Sequence, residues 1–402
     1  MQRDPRVAAE QRVPQAWCGV RRVLVVRLDN VGDVVMAGPA LRALRKALPD
    51  ARLTLMASPA GAAAAPLLPW IDDVLVHRAV WQDASGSMPL DPGREIALVE
   101  RLRAGRFDAA VILTSFRQSP YPAAYACYLA GIPIRLGRSG QFGGSILSPC
   151  VPPVDDAVHQ VERNLSLLEA AGFRPRRRDL EVAVPAAARE HADRLLEARA
   201  IPRWARFVLL VPGASAAARR YDAGRFRSVA GMLADCAGLR VVVAGSEREA
   251  GLVVEVASAR PSIVALAGRT DVPALAALVA RAAVVVCNDS GPMHLADALR
   301  TPAVVLFSGT DLESQWAPRS TRSALLRRPT DCSPCYAFHC PYGLPCLDVP
   351  PEKVVTETLA LLRPVHAQSQ YDTRRETVDA VAPRADLARP RKLPVRPRAD
   401  AA

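Results

Sequence analysis

The feature that most limits what this chain can fold into is a series of short Val- and Leu-rich runs that do not alternate with polar residues. Val23–Arg27, Phe207–Val211 and Val284–Cys287 are of this kind. A run without alternation reads as a strand buried on both faces, the pattern of a parallel sheet covered by helices. Each run stops at a small polar turn and gives way to apolar residues at helical spacing. After Val23–Arg27 comes Leu28-Asp29-Asn30-Val31-Gly32-Asp33, followed by Val34, Val35, Leu41, Leu44 and Leu48.

The unit recurs along the chain. Strands are expected at Leu53–Ala57, Val74–His77, Ala109–Thr114 and Ile132–Leu136, then at Arg240–Ala244, Ile263–Leu266 and Ala303–Phe307. Helices are expected at Ala223–Cys236, Glu247–Ala259, Val272–Ala282 and Pro292–Leu299. Alternating strand and helix implies parallel sheets with crossover helices, an α/β fold. The 402 residues suffice for two such domains. Their expected extents are 21–190 and 200–365, with the junction near 185–205. Residues 1–20 read as a disordered leader. Residues 366–402, rich in Pro, Arg, Ala and Asp without periodicity, read as a disordered basic tail. Ligands of such sheets bind at the carboxyl ends of the strands, which places a cleft between the domains.

Composition narrows the class. No apolar run approaches the roughly 20 residues of a bilayer span, and the start Met1-Gln2-Arg3-Asp4-Pro5 lacks the apolar core of a secretory signal. A cytoplasmic location is therefore expected. The net charge of +12 favours anionic partners: nucleotides, nucleic acid or an acidic membrane face. Aromatics make up only 5%, which argues against a stacking platform for single-stranded nucleic acid, so no nucleic acid is expected. Nine cysteines in such a chain do not read as a disulfide framework.

Four segments carry candidate chemistry, each with a plain structural alternative. In Asn288-Asp289-Ser290-Gly291-Pro292-Met293-His294 a strand enters a polar turn and a helix begins, with Ser290 or Gly291 as cap and Pro292 at the first helical position. The free N–H groups of that first turn form an anion site. His294 can add a donor to a phosphate, and Asp289 can accept from a sugar hydroxyl; the alternative is a capped helix start. In Leu28–Asp33, Gly32 permits a close backbone approach. Asp33 is placed to act as a general base or, equally in keeping with its type, as a helix cap, and Asp29 competes with it. Pro212-Gly213-Ala214-Ser215 with Arg219-Arg220-Tyr221 could neutralise a diphosphate or form a solvated basic loop. Glu247, after Gly245-Ser246, could hold ribose hydroxyls or simply favour a helix start. In the segment 331–348, Cys332, Cys335, Cys340 and Cys346 could surround a structural zinc, with His339 as a substitute ligand, or could be free thiols in a Pro-rich loop.

Taken together, these segments resemble glycosyltransferase family 9, the family of the ADP-heptose:lipopolysaccharide heptosyltransferases. The resemblance runs from about Arg22 to Arg363. It is carried by Val25-Val26-Arg27-Leu28-Asp29-Asn30-Val31-Gly32-Asp33-Val34-Val35, by the Pro212 and Arg219 segments, by Gly245-Ser246-Glu247, by Asn288–His294 and by Cys346-Leu347-Asp348-Val349. Any one of these is weak, and their order and spacing are specific. The resemblance implies the GT-B architecture: two Rossmann-like domains facing a cleft, the acceptor on the first and the nucleotide sugar on the second. It implies metal-independent transfer with inversion, from a donor such as ADP-heptose to a glycan or lipid-linked acceptor, with peripheral contact at the inner face of the cell membrane. Asp33 matches the family's base, with Asn30 and Gly32 in the acceptor-side loop. Arg219, Glu247, Asp289, Ser290, Gly291 and His294 match donor-binding positions. Asp29-Asn30-Val31 departs from the usual Ser-rich approach, Tyr221 stands where Trp is common and Arg219 where Lys is common.

Three rivals remain at this level. A nicotinamide-dependent dehydrogenase expects Gly-x-Gly-x-x-Gly after the first strand, which residues 28–33 lack. A basic nucleic-acid-binding protein would use the cysteines as a zinc module. A degenerate family member would bind a nucleotide sugar without transferring it.

Overall fold

The computed structural model describes residues 13–236 and 238–363, together with the backbone of 374–377. The first half contains β1 (Arg22–Arg27), α1 (Val31–Ala47), β2 (Arg52–Ala57), α2 (Pro59–Ala62), β3 (Asp73–Val76), α3 (Pro92–Gly105), β4 (Ala109–Ile112), α4 (Tyr121–Leu129), β5 (Ile134–Arg138), β6 (Cys150–Val151) and α5 (Gln160–Ala170). The second half contains α6 (Ala186–Glu197), β7 (Phe207–Val211), α7 (Ala223–Ala234), β8 (Arg240–Gly245), α8 (Ala250–Ala257), β9 (Val264–Ala267), α9 (Val272–Arg281), β10 (Val284–Asn288), α10 (Gly291–Leu299), β11 (Ala303–Leu306), α11 (Glu313–Trp316), β12 (Ser323–Arg327), α12 (Pro351–Leu362) and β13 (Arg374–Thr377).

The strands form two sheets ordered β3-β2-β1-β4-β5-β6 and β13-β12-β11-β10-β7-β8-β9. All the strand pairs are parallel. The continuous apolar runs account for this: β4, β7 and β11 are buried at every position. The order reverses direction between β1 and β4 in one sheet and between β7 and β10 in the other. The loops leaving those neighbours diverge and open a crevice at the carboxyl end of each sheet.

The two crevices face each other because α1 and α10 pack together. A Cβ on Gly32 would lie 2.5 Å from His294 Cδ2, and one on Gly291 would lie 3.3 Å from Val31 Cγ1. Bare backbone on both helices permits this approach. One buried apolar cluster runs through the contact, joining Val35 and Leu41 of α1 to Met293 and Leu295 of α10. Polar ties reinforce it: Gln315 Nε2 donates to Asp156 O at 2.7 Å, and Arg319 pairs with Glu162 at 2.7 Å.

Three boundaries differ from expectation. Within the expected leader, residues 13–20 are ordered, because Trp17 is buried edge-on against Phe173 at 4.9 Å between ring centroids. Helix α6 straddles the expected junction and packs on α9, with Arg281 paired to Asp193 at 2.6 Å. It therefore belongs to the second domain, and the crossing lies before Ala186. Within the expected tail, the backbone of Arg374–Thr377 adds an edge strand beside β12. The remainder of both terminal segments lies outside the described residues.

Candidate active site

The first crevice is built on a buried arginine. Arg27 ends β1 with no exposed surface. Its Nη2 donates to Asp33 Oδ1 at 2.8 Å and to Ser115 Oγ at 2.7 Å, and its Nε lies 3.3 Å from Asp29 Oδ2. Gln118 Nε2 donates to Asp29 Oδ1 at 2.6 Å. Asp33 is not the cap of α1; Asn30 is. Asp33 stands three residues into the helix, where its Oδ2 accepts from the Asn30 backbone N–H at 3.1 Å. One carboxylate oxygen thus holds the helix start, and the other is turned to Arg27. Burial pushes the Asp29 carboxyl above the usual carboxylate range, with Arg27 and Gln118 pulling the other way.

The second crevice is organised by Asn288 at the end of β10. Its Nδ2 donates to Pro212 O at 2.8 Å and its Oδ1 accepts from Tyr221 N at 3.0 Å, binding the loops after β7 and β10 together. Ser290 caps α10, with Pro292 in its first turn. Arg219 donates through Nε to Thr310 Oγ1 at 3.1 Å and through Nη2 to Asp311 Oδ2 at 2.5 Å, and it lies 4.0 Å from Asp289 Oδ2. Burial opposes its charge, but the carboxylates of Asp289, Asp311 and Asp33 more than offset this and raise its pKa. Arg220 turns away and braces the loop through Ala214 O at 2.8 Å.

Asp289 is buried. Its Oδ2 accepts from Ser308 Oγ at 2.9 Å, whereas Oδ1 has no hydrogen-bond partner among the described residues. Burial raises its carboxyl to about 7, against Arg219 and Ser308. An unsatisfied buried carboxylate oxygen is costly, and a ligand hydroxyl would satisfy it.

His294 is buried against Gly32, and burial pushes its imidazole down to about 4, with Asp33 opposing. It is therefore neutral near pH 7 and offers one N–H rather than a positive charge. His159, which faces Ala317 O at 3.1 Å, is likewise pushed down to about 3 by burial and by Arg319. Below the unfolded value of about 6.5, the unfolded chain binds protons that the fold excludes. The contribution of His294 is fully present above pH 6.5 and is lost as pH falls toward 4. Between pH 6.5 and 5 it amounts to about 2 kcal/mol. Thermal melts of wild type and His294→Gln across this range should show a shallower acid dependence in the variant; equal slopes would contradict it. Asp289 has the opposite sign, losing stability as pH rises toward 7, and it is common to both proteins.

Glu247 lies exposed in a 3-10 turn, its Cα 3.2 Å from where a Cβ on Gly268 would stand. Glu249 comes closer to the crevice: it covers Gly213 and accepts from Ser246 N at 2.9 Å. The zinc expected at Cys332, Cys335, Cys340 and Cys346 finds no assembled site in the fold. Among the described residues no group of three or more His, Cys, Asp or Glu side chains is arranged to hold a metal ion. Cys332 and Cys335 are exposed, while Cys346 is buried beneath Gly309. The backbone of the segment braces the loops after β7 and β11. Cys335 N donates to Gly309 O at 3.0 Å, Tyr336 N to Thr310 O at 2.8 Å, and Ala218 N to Phe338 O at 3.0 Å. Tyr336 then reaches the first domain, with the Arg117 guanidinium 3.9 Å over its ring.

Ser115, Gln118, Ser308, Thr310 and Asp311 were not among the expected site residues. All follow the carboxyl ends of β4 and β11, so the rule that drew attention to residues 28–33 and 288–294 applies to them as well.

The model of glycosyltransferase family 9 (heptosyltransferase) matches residues 96–344 of this chain. The chain belongs to this family. Lipopolysaccharide heptosyltransferase 2 of Escherichia coli K12 is 27% identical over 356 residues, spanning 85% of this chain and 98% of that protein. Lipooligosaccharide heptosyltransferase 2 of Haemophilus ducreyi is 25% identical over 327 residues, spanning 76% and 88%. Among solved structures, E. coli ADP-heptose LPS heptosyltransferase II aligns with a TM-score of 0.67 at 24% identity, covering 85% of this chain and 98% of that one. The family 9 glycosyl transferase of Veillonella parvula aligns at 0.69 and 20% identity, covering 85% and 97%. This chain is a glycosyltransferase of the heptosyltransferase family, with the GT-B fold. Among the described residues, no helix of this transferase is long and apolar enough to cross a membrane.

Proposed function

We propose that this transferase moves heptose, with inversion, from ADP-heptose to a glycan or lipid-linked acceptor in lipopolysaccharide assembly, with no metal ion required for catalysis. The observation that carries the reading is the meeting of Asp33 from one crevice with Arg219, Asp289 and His294 from the other. Asp33 is close enough to influence the charge of both Arg219 and His294. The acceptor hydroxyl gives its proton to Asp33 while its oxygen attacks the anomeric carbon. The bond from that carbon to the diphosphate oxygen breaks, and the nucleoside diphosphate leaves with the electron pair. Arg219 and the free N–H groups at the start of α10 take up the charge that develops on it. Asp289 receives a donor hydroxyl on its unpartnered oxygen, and Glu247 stands at the rim for the ribose. Contact between the domains excludes water that would otherwise hydrolyse the donor.

Nucleotide-dependent thermal shift tests this. A ligand at 100 times its Kd stabilises the native state by about 2.7 kcal/mol. ADP and ADP-heptose should raise the melting temperature of wild type, and Arg219→Ala should lose most of that rise. No shift with any nucleoside diphosphate would sink the reading, and the anomeric configuration of the product, read by NMR, decides inversion.

A further inference from the structure

Helix α4 covers the acceptor domain, and its outer face is unusual for a solvated helix. Residues 118–134 carry no charged side chain. Ala123, Ala124, Ala126 and Cys127 are buried, while Tyr125, Tyr128 and Leu129 stand 52%, 50% and 43% exposed. A surface helix normally presents charged groups outward. The loop after β5, Ser139-Gly140-Gln141-Phe142-Gly143-Gly144-Ser145, carries Phe142 at 99% exposure. It is seated on the first turn of α4: Tyr121 Oη donates to Gln141 O at 2.6 Å, and the Gly143 backbone lies directly on the Tyr121 ring. Loop and helix therefore form one surface.

That surface has a basic border. Arg103 at the end of the neighbouring α3 donates to Leu129 O at 2.9 Å, with exposed Arg101 and Arg106 on either side and Glu100 as the exposed acid among them. We infer that the α4 face and the Phe142 loop dock on an anionic lipid surface, which delivers the lipid-linked acceptor to Asp33. The inference rests on the lipid-linked form of the proposed acceptor. Three observations favour lipid over a protein partner. A single ring projecting from a glycine-flanked tip has no fixed complement, and a fluid phase needs to offer none. Tyrosine suits the level where hydrocarbon meets headgroup. Arginines beside an apolar patch add attraction to anionic headgroups. The geometry fits delivery, because the loop leaves β5 at the carboxyl end of the sheet, on the rim that carries Ser115 and Asp33.

The test is co-sedimentation of the full chain with phosphatidylcholine vesicles, with and without phosphatidylglycerol. Wild type should bind the anionic vesicles, and less so as salt rises. Phe142→Ser and the double variant Tyr125→Ser/Tyr128→Ser should each weaken binding by about tenfold. Arg103→Glu/Arg106→Glu should lose the preference for anionic vesicles. The ADP-induced thermal shift, measured on every variant, confirms that each is folded. It also judges the transferase reading separately, since its loss in wild type would sink that reading whatever the vesicles show. The docking face is overturned if wild type sediments with neither vesicle, or if the folded Phe142 and tyrosine variants bind like wild type. It is also overturned if the face instead holds a second copy, seen as a wild-type dimer that these variants abolish without any change in vesicle binding.

Discussion

Asp33→Asn is expected to leave the chain folded and to lower kcat by about 10²- to 10⁴-fold, the usual contribution of a positioned general base. Asparagine keeps the shape of the side chain. Its oxygen can still accept from Arg27 and Ser115, as Oδ1 does now at 2.8 and 3.2 Å. Its amide nitrogen then faces the Asn30 N–H, which donates to Oδ2 in the native protein. The lost helix-start bond costs about 1 kcal/mol, too little to unfold a chain of this size. The cost in turnover is far larger, because an amide cannot take up the hydroxyl proton. Single-turnover rates with the native donor and acceptor, alongside a thermal melt, separate the two roles. A variant that melts lower but turns over normally would make Asp33 a capping residue only.

Arg27→Met is expected to reduce stability by about 3–5 kcal/mol at neutral pH, as removing one partner from buried ionic groups does. Arg27 has no exposed surface and stands between two carboxylates, Asp29 and Asp33. Methionine fills part of the volume and leaves both carboxylates facing each other. The Asp29 carboxyl, already raised by burial, then loses the cation that opposes the shift. A carboxyl raised in the folded state loses its contribution as pH rises, so the defect should be largest at pH 7 and shrink toward pH 5. Asp29→Asn in the same background should recover part of the loss. Thermal melts of the single and double variants at both pH values are the measurement. A pH-independent loss would assign the effect to packing alone. Turnover should fall as well, because Arg27 fixes the oxygen of Asp33 that Ser115 also holds.

The Cys-rich segment marks where sequence reading reached its limit. Its spacing allowed two readings, four thiols around one ion or free thiols in a Pro-rich loop. In the fold, its backbone carries the role: Cys335 and Tyr336 bond to Gly309 and Thr310, and thereby fix the loop that holds Arg219. Spacing reports which side chains are near in sequence. It does not report which way the chain turns, so a ligand motif and a brace read alike.

The sequence by itself determined the two parallel sheets, the positions of their central strands and the turns at Asp33 and Asn288–His294. These follow from local causes: runs buried on both faces, glycine where backbone must come close, and Ser and Pro at a helix start. Only the tertiary structure decided that Arg27 is the buried clamp on Asp29 and Asp33, and that Ser115 and Gln118, nearly ninety residues away, complete that crevice. It also decided that Thr310 and Asp311 hold Arg219, and that His294 is neutral because it is buried against Gly32. Those properties arise from burial and from partners distant in the chain, and no local pattern encodes either.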